Sequence, residues 1–275
     1  VVHGPAAAIE LTGSTADLTS GANRVLTATI RDAAGNTVTA DSSTVVAFAK
    51  ASGAGTVSGA GNATASNGVA SKTVTGALVG AVTMQATAGG LAAGTLGAFT
   101  VVHGPAAQID LTNSGSTASG DNHTLTATLK DAAGNVVTGD SSTVVAFAKT
   151  GGPGTVAGLG NAVASNGVAT KTVVNTAAGQ IDLDARSAGL TTGTTSYSIA
   201  AGSASTLTST IAASPTSIVA NGASTSAITV QLKDAAGNDL TGSGGVVALS
   251  LTGAGSLSAV TDNADGTYSA TLTSP

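Results

Sequence analysis

The chain reads as an all-β protein, a linear array of tandem β-sandwiches. Three observations predict this. The peptide DAAGN occurs three times, at 32–36, 131–135 and 234–238, spaced 99 and 103 residues apart. A period of about one small-domain length marks tandem copies of one unit. The segments before each copy (RVLTATIRD, TLTATLKD, ITVQLKD) alternate apolar and polar residues with period two, the pattern of a half-buried antiparallel strand. No apolar stripe with helical spacing is sustained, and Gly or Asn clusters punctuate the chain every ten residues or so, as in a sandwich of short strands.

The first unit gives seven strands, near 6–12, 24–31, 44–50, 56–58, 68–75, 79–88 and 94–102. The second of these puts Leu26, Ala28 and Ile30 on one face and Thr27, Thr29 and Arg31 on the other. In the sixth, Val82, Met84 and Ala86 alternate with Thr83 and Gln85. The second unit repeats the plan. DSSTVVAFAK at 41–50 returns at 140–149, and SNGVASKTV at 66–74 returns as SNGVATKTV at 165–173. Ile181, Leu183 and Ala185 take the apolar face, with Asp182, Asp184 and Arg186 outward. VVHGPAA at 1–7 returns at 101–107 with an offset of 100 where the body keeps 99, so length changes fall at the joint, as loops tolerate them. The resulting division is 1–5 as the tail of a preceding repeat or a linker, 6–102 as the first sandwich, 103–201 as the second and 206–275 as the third. Aligned on DAAGN, the third is incomplete at its C-terminal strands, those equivalent to 79–88 and 94–102.

Composition narrows the function. Charged residues make up 8%, net charge is −5, and 13 of the 14 acidic residues are Asp. Asp serves turns well because it bonds its own local backbone. The balance lacks the basic footprint of a nucleic-acid binder and the polybasic patch of a membrane binder. With no cysteine, disulfides, thiolate catalysis and Cys-ligated zinc are excluded. No apolar run approaches the ~20 residues that cross a bilayer as a helix, so no membrane insertion is expected in this segment. With three Phe, two Tyr and no Trp, each core is a lean one of Val, Leu, Ile and Ala.

The residues at 214–275 resemble a known family. The strand leading into DxxGN at 230–238, GSLSAVTD at 255–262 and NADGTYSATL at 263–272 are similar to the bacterial immunoglobulin-like modules of invasin- and intimin-type adhesins. The resemblance is weaker over the first two units, which keep DAAGN but have SNGVASKTV in place of DGTYSATL. It implies an immunoglobulin-like sandwich. It also implies the use such modules usually serve, as rod-like spacers that hold an adhesive tip away from the cell. No tip domain is matched, so the resemblance carries over no binding residue.

Candidate sites weigh as follows. DAAGN reads as a strand-ending turn, with Asp bonding local N–H groups, Gly supplying positive φ and Asn tolerating the left-handed region. A calcium site from Asp32, Asn36 and Asp41, or from Asp131, Asn135 and Asp140, is the competing reading. The third unit has no clear equivalent of Asp41 or Asp140. TDNADGTY at 261–268 has the wrong spacing for a calcium loop and reads as a hairpin turn. His3 and His103 share one linker position, and His123 replaces Arg24 as a surface residue. Asp182 and Asp184 share a face without a conserved partner in the first unit. Lys50, Lys72, Lys149 and Lys171 recur by unit, but no acidic residue on an apolar strand face accompanies them for an isopeptide bond. The surface Thr and Ser residues suit the solvent side of strands and could also carry glycans.

The sequence therefore assigns no catalytic residue, no metal ligand, no cofactor and no ligand-binding residue. The expected function is a non-enzymatic extracellular spacer of a bacterial cell-surface adhesin or fibre, with neighbouring repeats of the same longer chain as partners. Each sandwich adds on the order of 40 Å, from strands of about ten residues at ~3.3 Å plus a joint. Gly-Pro at the joints limits bending, since Pro fixes φ. The alternatives are a subunit of a self-assembling filament or surface layer, completed by strands from other copies, and a glycan- or protein-binding module.

Overall fold

The computed structural model describes residues 2–275, and every named element among them is a β-strand. The first repeat holds β1 (Ala6–Thr12), β2 (Leu18–Thr19), β3 (Asn23–Asp32), β4 (Val45–Ser52), β5 (Val57–Ser58), β6 (Gly61–Thr64), β7 (Val69–Gly76), β8 (Gly80–Thr87) and β9 (Gly94–Val102). They form two sheets, β1-β3-β7-β5 and β2-β9-β8-β4-β6. The alternating residues pack between the sheets. Leu26, Ala28 and Ile30 from one meet Val82, Met84 and Ala86 from the other, all fully buried.

The sequence gives no hint of β2 or β6. β2 is two residues long and pairs parallel with β9, Leu18 opposite Val101 and Thr19 opposite Val102. β6 opens on Gly61 at φ 133°, inside a Gly/Asn-rich stretch that reads locally as loop.

The second repeat repeats the plan with β10 (Gln108–Asn113), β11 (Thr117–Ala118), β12 (Asn122–Lys130), β13 (Val144–Gly151), β14 (Val156–Ala157), β15 (Gly160–Val163), β16 (Val168–Asn175), β17 (Gly179–Arg186) and β18 (Gly193–Ala200). Its sheets are β10-β12-β16-β14 and β11-β18-β17-β13-β15.

Two expectations fail inside this repeat. His123 is not a surface residue, since only 1% of it is exposed. Its ring stacks on Tyr197, with centroids 3.7 Å apart. The first repeat places Arg24 over the ring of Phe99 at 4.3 Å in the same position. One cation–π pair has been exchanged for an aromatic pair. Asp184, expected outward, is only 2% exposed, roofed by the Arg186 guanidinium, whose Nε donates to its Oδ2 at 2.7 Å.

The third repeat contains β19 (Thr210–Ser214), β20 (Thr225–Gln231), β21 (Ser256–Leu257), β22 (Thr261–Asp262) and β23 (Thr267–Thr273). They make one sheet, β19-β20-β23-β21, with β22 on β23. This order matches the first sheet of the other repeats, so DGTYSATL and SNGVASKTV occupy the same strand. The preceding glycines confirm the equivalence. Gly68, Gly167 and Gly266 each accept a bond from the strand before DAAGN, from Ile30, Leu129 and Leu232 N–H at 2.8, 2.8 and 3.0 Å.

The second sheet is absent among the described residues, including the strand that VVALSL at 246–251 would supply. In the first repeat the matching strand, β4, is held between β6 and β8. Without such neighbours the backbone of 246–251 has no ladder to join. The core shrinks accordingly to Val230, Leu232, Leu240 and Tyr268.

Candidate functional site at the joints between repeats

The DAAGN turn closes each strand end around one carboxylate. Asp131 Oδ1 accepts the N–H groups of Ala133 and Asn135, both at 2.9 Å. Gly134 takes the left-handed conformation at φ 90°. The Asn does not, contrary to the sequence expectation. Among the described residues, the non-glycine positions with positive φ are Asn67, Asn166 and Ala264. Asn135 therefore serves another purpose.

That purpose is the joint. Asn135 Nδ2 donates to Asp131 Oδ2 at 2.9 Å and to the Ala77 carbonyl of the first repeat at 2.8 Å. Its Oδ1 accepts the N–H of Val79 at 2.9 Å, and the Ser20 hydroxyl lies 3.3 Å from Nδ2. One side chain thus satisfies a donor and an acceptor of the turn between β7 and β8. The joint between the second and third repeats is built the same way. Asn238 Nδ2 donates to Asp234 Oδ2 and to the Thr176 carbonyl, both at 2.7 Å. Its Oδ1 accepts Ala178 N–H at 2.8 Å, and the Ser119 hydroxyl lies 3.2 Å away.

A second tie runs through the linker. The N–H groups of Gly104 and Gly202 donate to Oδ2 of Asp131 and Asp234 at 2.8 and 2.9 Å. Each glycine follows the last strand of the preceding repeat by two residues, β9 ending at Val102 and β18 at Ala200. The chain connection and the Asn clamp grip the neighbouring repeat at separate points. Small residues let the backbones approach, with Gly21, Gly76 and Ala77 facing Gly104, Ala132 and Ala133. Proline is not the shared device, because the second joint reads Gly202-Ser203 where the first reads Gly104-Pro105.

These bonds set the charge state of the turn. Burial raises the Asp131 carboxyl, but the Asn135 side chain and the Gly104 and Asn135 N–H groups outweigh it and hold the pKa at about 2. Asp32 is lowered to about 2 by the Asn36 side chain first, then by the Gly4 and Asn36 N–H groups. Asp234 is lowered further: burial opposes the shift, and the bonds from Asn238 and Gly202 overcome it.

The other candidate residues are occupied locally. Asp41 and Asp140 accept from Thr44 and Thr143, backbone and hydroxyl, in turns of their own. They do not join Asp32 or Asp131, and no group of three His, Cys, Asp or Glu side chains placed to hold a metal occurs among the described residues. Asp262 and Asp265 accept the N–H groups of Ala264 and Thr267 in the hairpin between β22 and β23. His3 Nε2 accepts the Ala40 N–H at 3.3 Å, and its Nδ1 lies 3.0 Å from the Gly4 carbonyl. Lys50 and Lys149 donate to loop carbonyls, at Gly55 and Pro153, and do not meet an Asn side chain.

The joint residues were missed because their partners are backbone groups 56 to 62 residues away. One signal was available. Gly already supplies the left-handed position of the turn, so an Asn kept in all three copies needed a second reason.

Comparison with known proteins places the third repeat. Residues 205–275 match the family model of invasin, domain 3. Among solved structures, the chain is similar to the Escherichia coli adhesin FdeC at 22% identity, covering 99% of this chain and 90% of that one, with a TM-score of 0.42. It is similar to invasin, a bacterial integrin-binding protein, at 21% identity, covering 96% and 54%, with a TM-score of 0.41. It is similar to InvD of Yersinia pseudotuberculosis at 22% identity, covering 85% and 71%, with a TM-score of 0.39. The chain thus spans about half of the invasin structure. No helix among the described residues is long and apolar enough to cross a membrane. Residues 205–275 carry the sequence pattern of invasin domain 3, and the first two repeats share with that segment its DAAGN turn, its first-sheet order and its joint chemistry.

Proposed function

We propose that this chain is a non-enzymatic spacer segment of a bacterial surface adhesin or fibre, in which immunoglobulin-like repeats at about 6–102, 103–201 and from 206 onward are held in fixed relative orientation. The observation that carries the reading is the Asn clamp, made with the same atoms at both joints. A flexible tether would not need it. A hydrogen bond contributes about 0.5–1.5 kcal/mol net, and a buried group left unpaired costs about 1–3 kcal/mol, so losing the amide costs each joint about that much. The location follows from the use, outside the cell at its surface, with adjoining repeats as partners.

The test is small-angle scattering on the whole chain. Asn135→Ala with Asn238→Ala is expected to broaden the pair-distance distribution and shorten the mean end-to-end distance, with the circular dichroism of the folded strands unchanged. An unaltered distribution would remove the fixed-joint reading.

A second reading has one observation of its own. The third repeat leaves an apolar groove lined by Ile211, Ile228, Leu249, Leu251, Leu257 and Leu272. In a self-assembling filament, strands of another copy would fill it. Light scattering after size exclusion separates the two, since a monodisperse monomer at high concentration counts against assembly.

A further inference from the structure

The first repeat carries the same clamp residues. Asn36 Nδ2 is already set on Asp32 Oδ2 at 3.0 Å, as Asn135 and Asn238 are set on theirs at 2.9 and 2.7 Å. Gly4 N–H donates to Asp32 Oδ2 at 2.8 Å, as Gly104 and Gly202 do at 2.8 and 2.9 Å. Asp32 Oδ1 gathers the Ala34 and Asn36 N–H groups at 3.0 and 2.8 Å. The difference lies in what faces outward. Asn36 is exposed where Asn135 is buried, and its Oδ1 has no protein partner among the described residues. Ala33, Ala34 and Gly35 beside it are exposed, giving the same small-residue floor as Ala132, Ala133 and Gly134.

We infer that the face built by Gly4 and Asp32–Asn36 is an acceptor surface for the end of another repeat of this kind, with Asn36 as its positioning residue. The inference rests on the fixed-joint reading above. The chemistry of the occupant is set by the two filled joints. It presents a carbonyl and an N–H two residues apart on a turn between strands, with a hydroxyl beside them and no side chain large enough to hold the backbones apart. Within this chain the groups that meet this description are Ala77 O, Val79 N and the Ser20 hydroxyl, and Thr176 O, Ala178 N and the Ser119 hydroxyl. Both sets are engaged in cis, where effective concentration favours the bond over a second copy. The occupant that fits is therefore a further repeat entering through Gly4 in the same chain. Its last strand would run into Val2-His3-Gly4 as β9 runs into Val102-His103-Gly104.

The identity of 1–7 with 101–107 allows a direct test. Joining a second copy of residues 1–100 ahead of Val1 in the whole chain recreates the natural joint sequence. Asn36→Ala is then compared in this fusion and in the original chain. The bond to Asp32 is lost in both, so any difference between them belongs to the joint. In the fusion, the Asn36 carboxamide resonances should shift to match those of Asn135, and Asn36→Ala should broaden the scattering pair-distance distribution as Asn135→Ala does. If Asn36→Ala leaves the fusion's distribution unchanged while Asn135→Ala alters it, the acceptor surface is wrong and the joint reading stands. If neither substitution has an effect, the joint reading itself fails.

Discussion

At the residue scale, two kinds of glycine do different work in this chain. Gly134 has φ 90° and open space where a Cβ would sit. Gly167 has φ 80°, and a Cβ there would come within 2.5 Å of the Val137 carbonyl oxygen. Gly68 and Gly266 are placed alike, 2.6 Å from Val38 O and 1.8 Å from Leu240 O. Gly134→Ala should therefore cost only the left-handed strain, about 1 kcal/mol. Gly167→Ala adds a clash with backbone that is itself hydrogen-bonded, and should cost roughly two to three times as much. Denaturant melts of the two variants check this, and equal losses would show that the close approach has no energetic weight. The same residues show what the sequence concealed. The Asn-Gly of SNGVASKTV and the Asp-Gly of DGTYSATL look unrelated as text. They share a function because the glycine, common to both, is the group that must lie against the neighbouring turn.

At the scale of elements, the long strands were legible and so was short β5, while β2 and β6 were not. β3, β7, β8 and their counterparts run seven residues or more, enough for period two to show through. β2 and β11 are two residues long and are set by parallel pairing with strands some 80 residues on, which no local pattern records. The third repeat shows how one sheet depends on the other. By register, Ile211 opposite Val230 is the equivalent of Leu11 opposite Ala28. Leu11 is 6% exposed and Ile211 is 64% exposed, because β9 covers the first and nothing among the described residues covers the second. Supplying those strands should close the sandwich. Appending a copy of residues 176–200 after Pro275 provides counterparts of β17 and β18 and gives 246–251 a strand to pair with. Amide exchange over 246–251 is then expected to slow by about tenfold or more, in line with a gain of at least ~1.4 kcal/mol of local stability. Exchange that stays fast would mean that the added strands do not pair with this segment or close the sandwich.

At the scale of the whole molecule, the two buried pairs and the joints respond to acid at different points. Burial lowers the His123 pKa below its ordinary 6.5, with Tyr197 from β18 against one face and the Ser114 hydroxyl 3.2 Å from Nδ1. The unfolded chain therefore takes up that proton first. The stability of the second repeat is full above pH ~6.5 and falls as the pH drops through that value toward the folded one, by up to about 1.4 kcal/mol per pH unit for one site. The first repeat has Arg24 at this position, which stays charged throughout and is bonded to the Ala16 carbonyl at 2.6 Å. The joint carboxylates lose their contribution in the same direction, but lower on the scale. With Asp131 held at about 2 and Asp234 lowered further, their contribution is full above pH ~3.8 and is lost only as the pH falls from there. Between pH ~4 and 6 the second repeat should weaken while the joints keep their bonds. Tyr197 lies in the second repeat and Tyr268 in the third, and the first repeat has neither Tyr nor Trp, so a Tyr268→Phe background isolates the Tyr197 signal. Its denaturant midpoint is expected to drop between pH 7.5 and 5.0, and His123→Gln should abolish most of that drop. Scattering without denaturant over the same interval should show the array equally extended. A midpoint that falls equally in the His123→Gln variant would place the acid sensitivity elsewhere. A shortening of the array above pH 4 would mean that the carboxylate-centred joints are not what fixes its repeats.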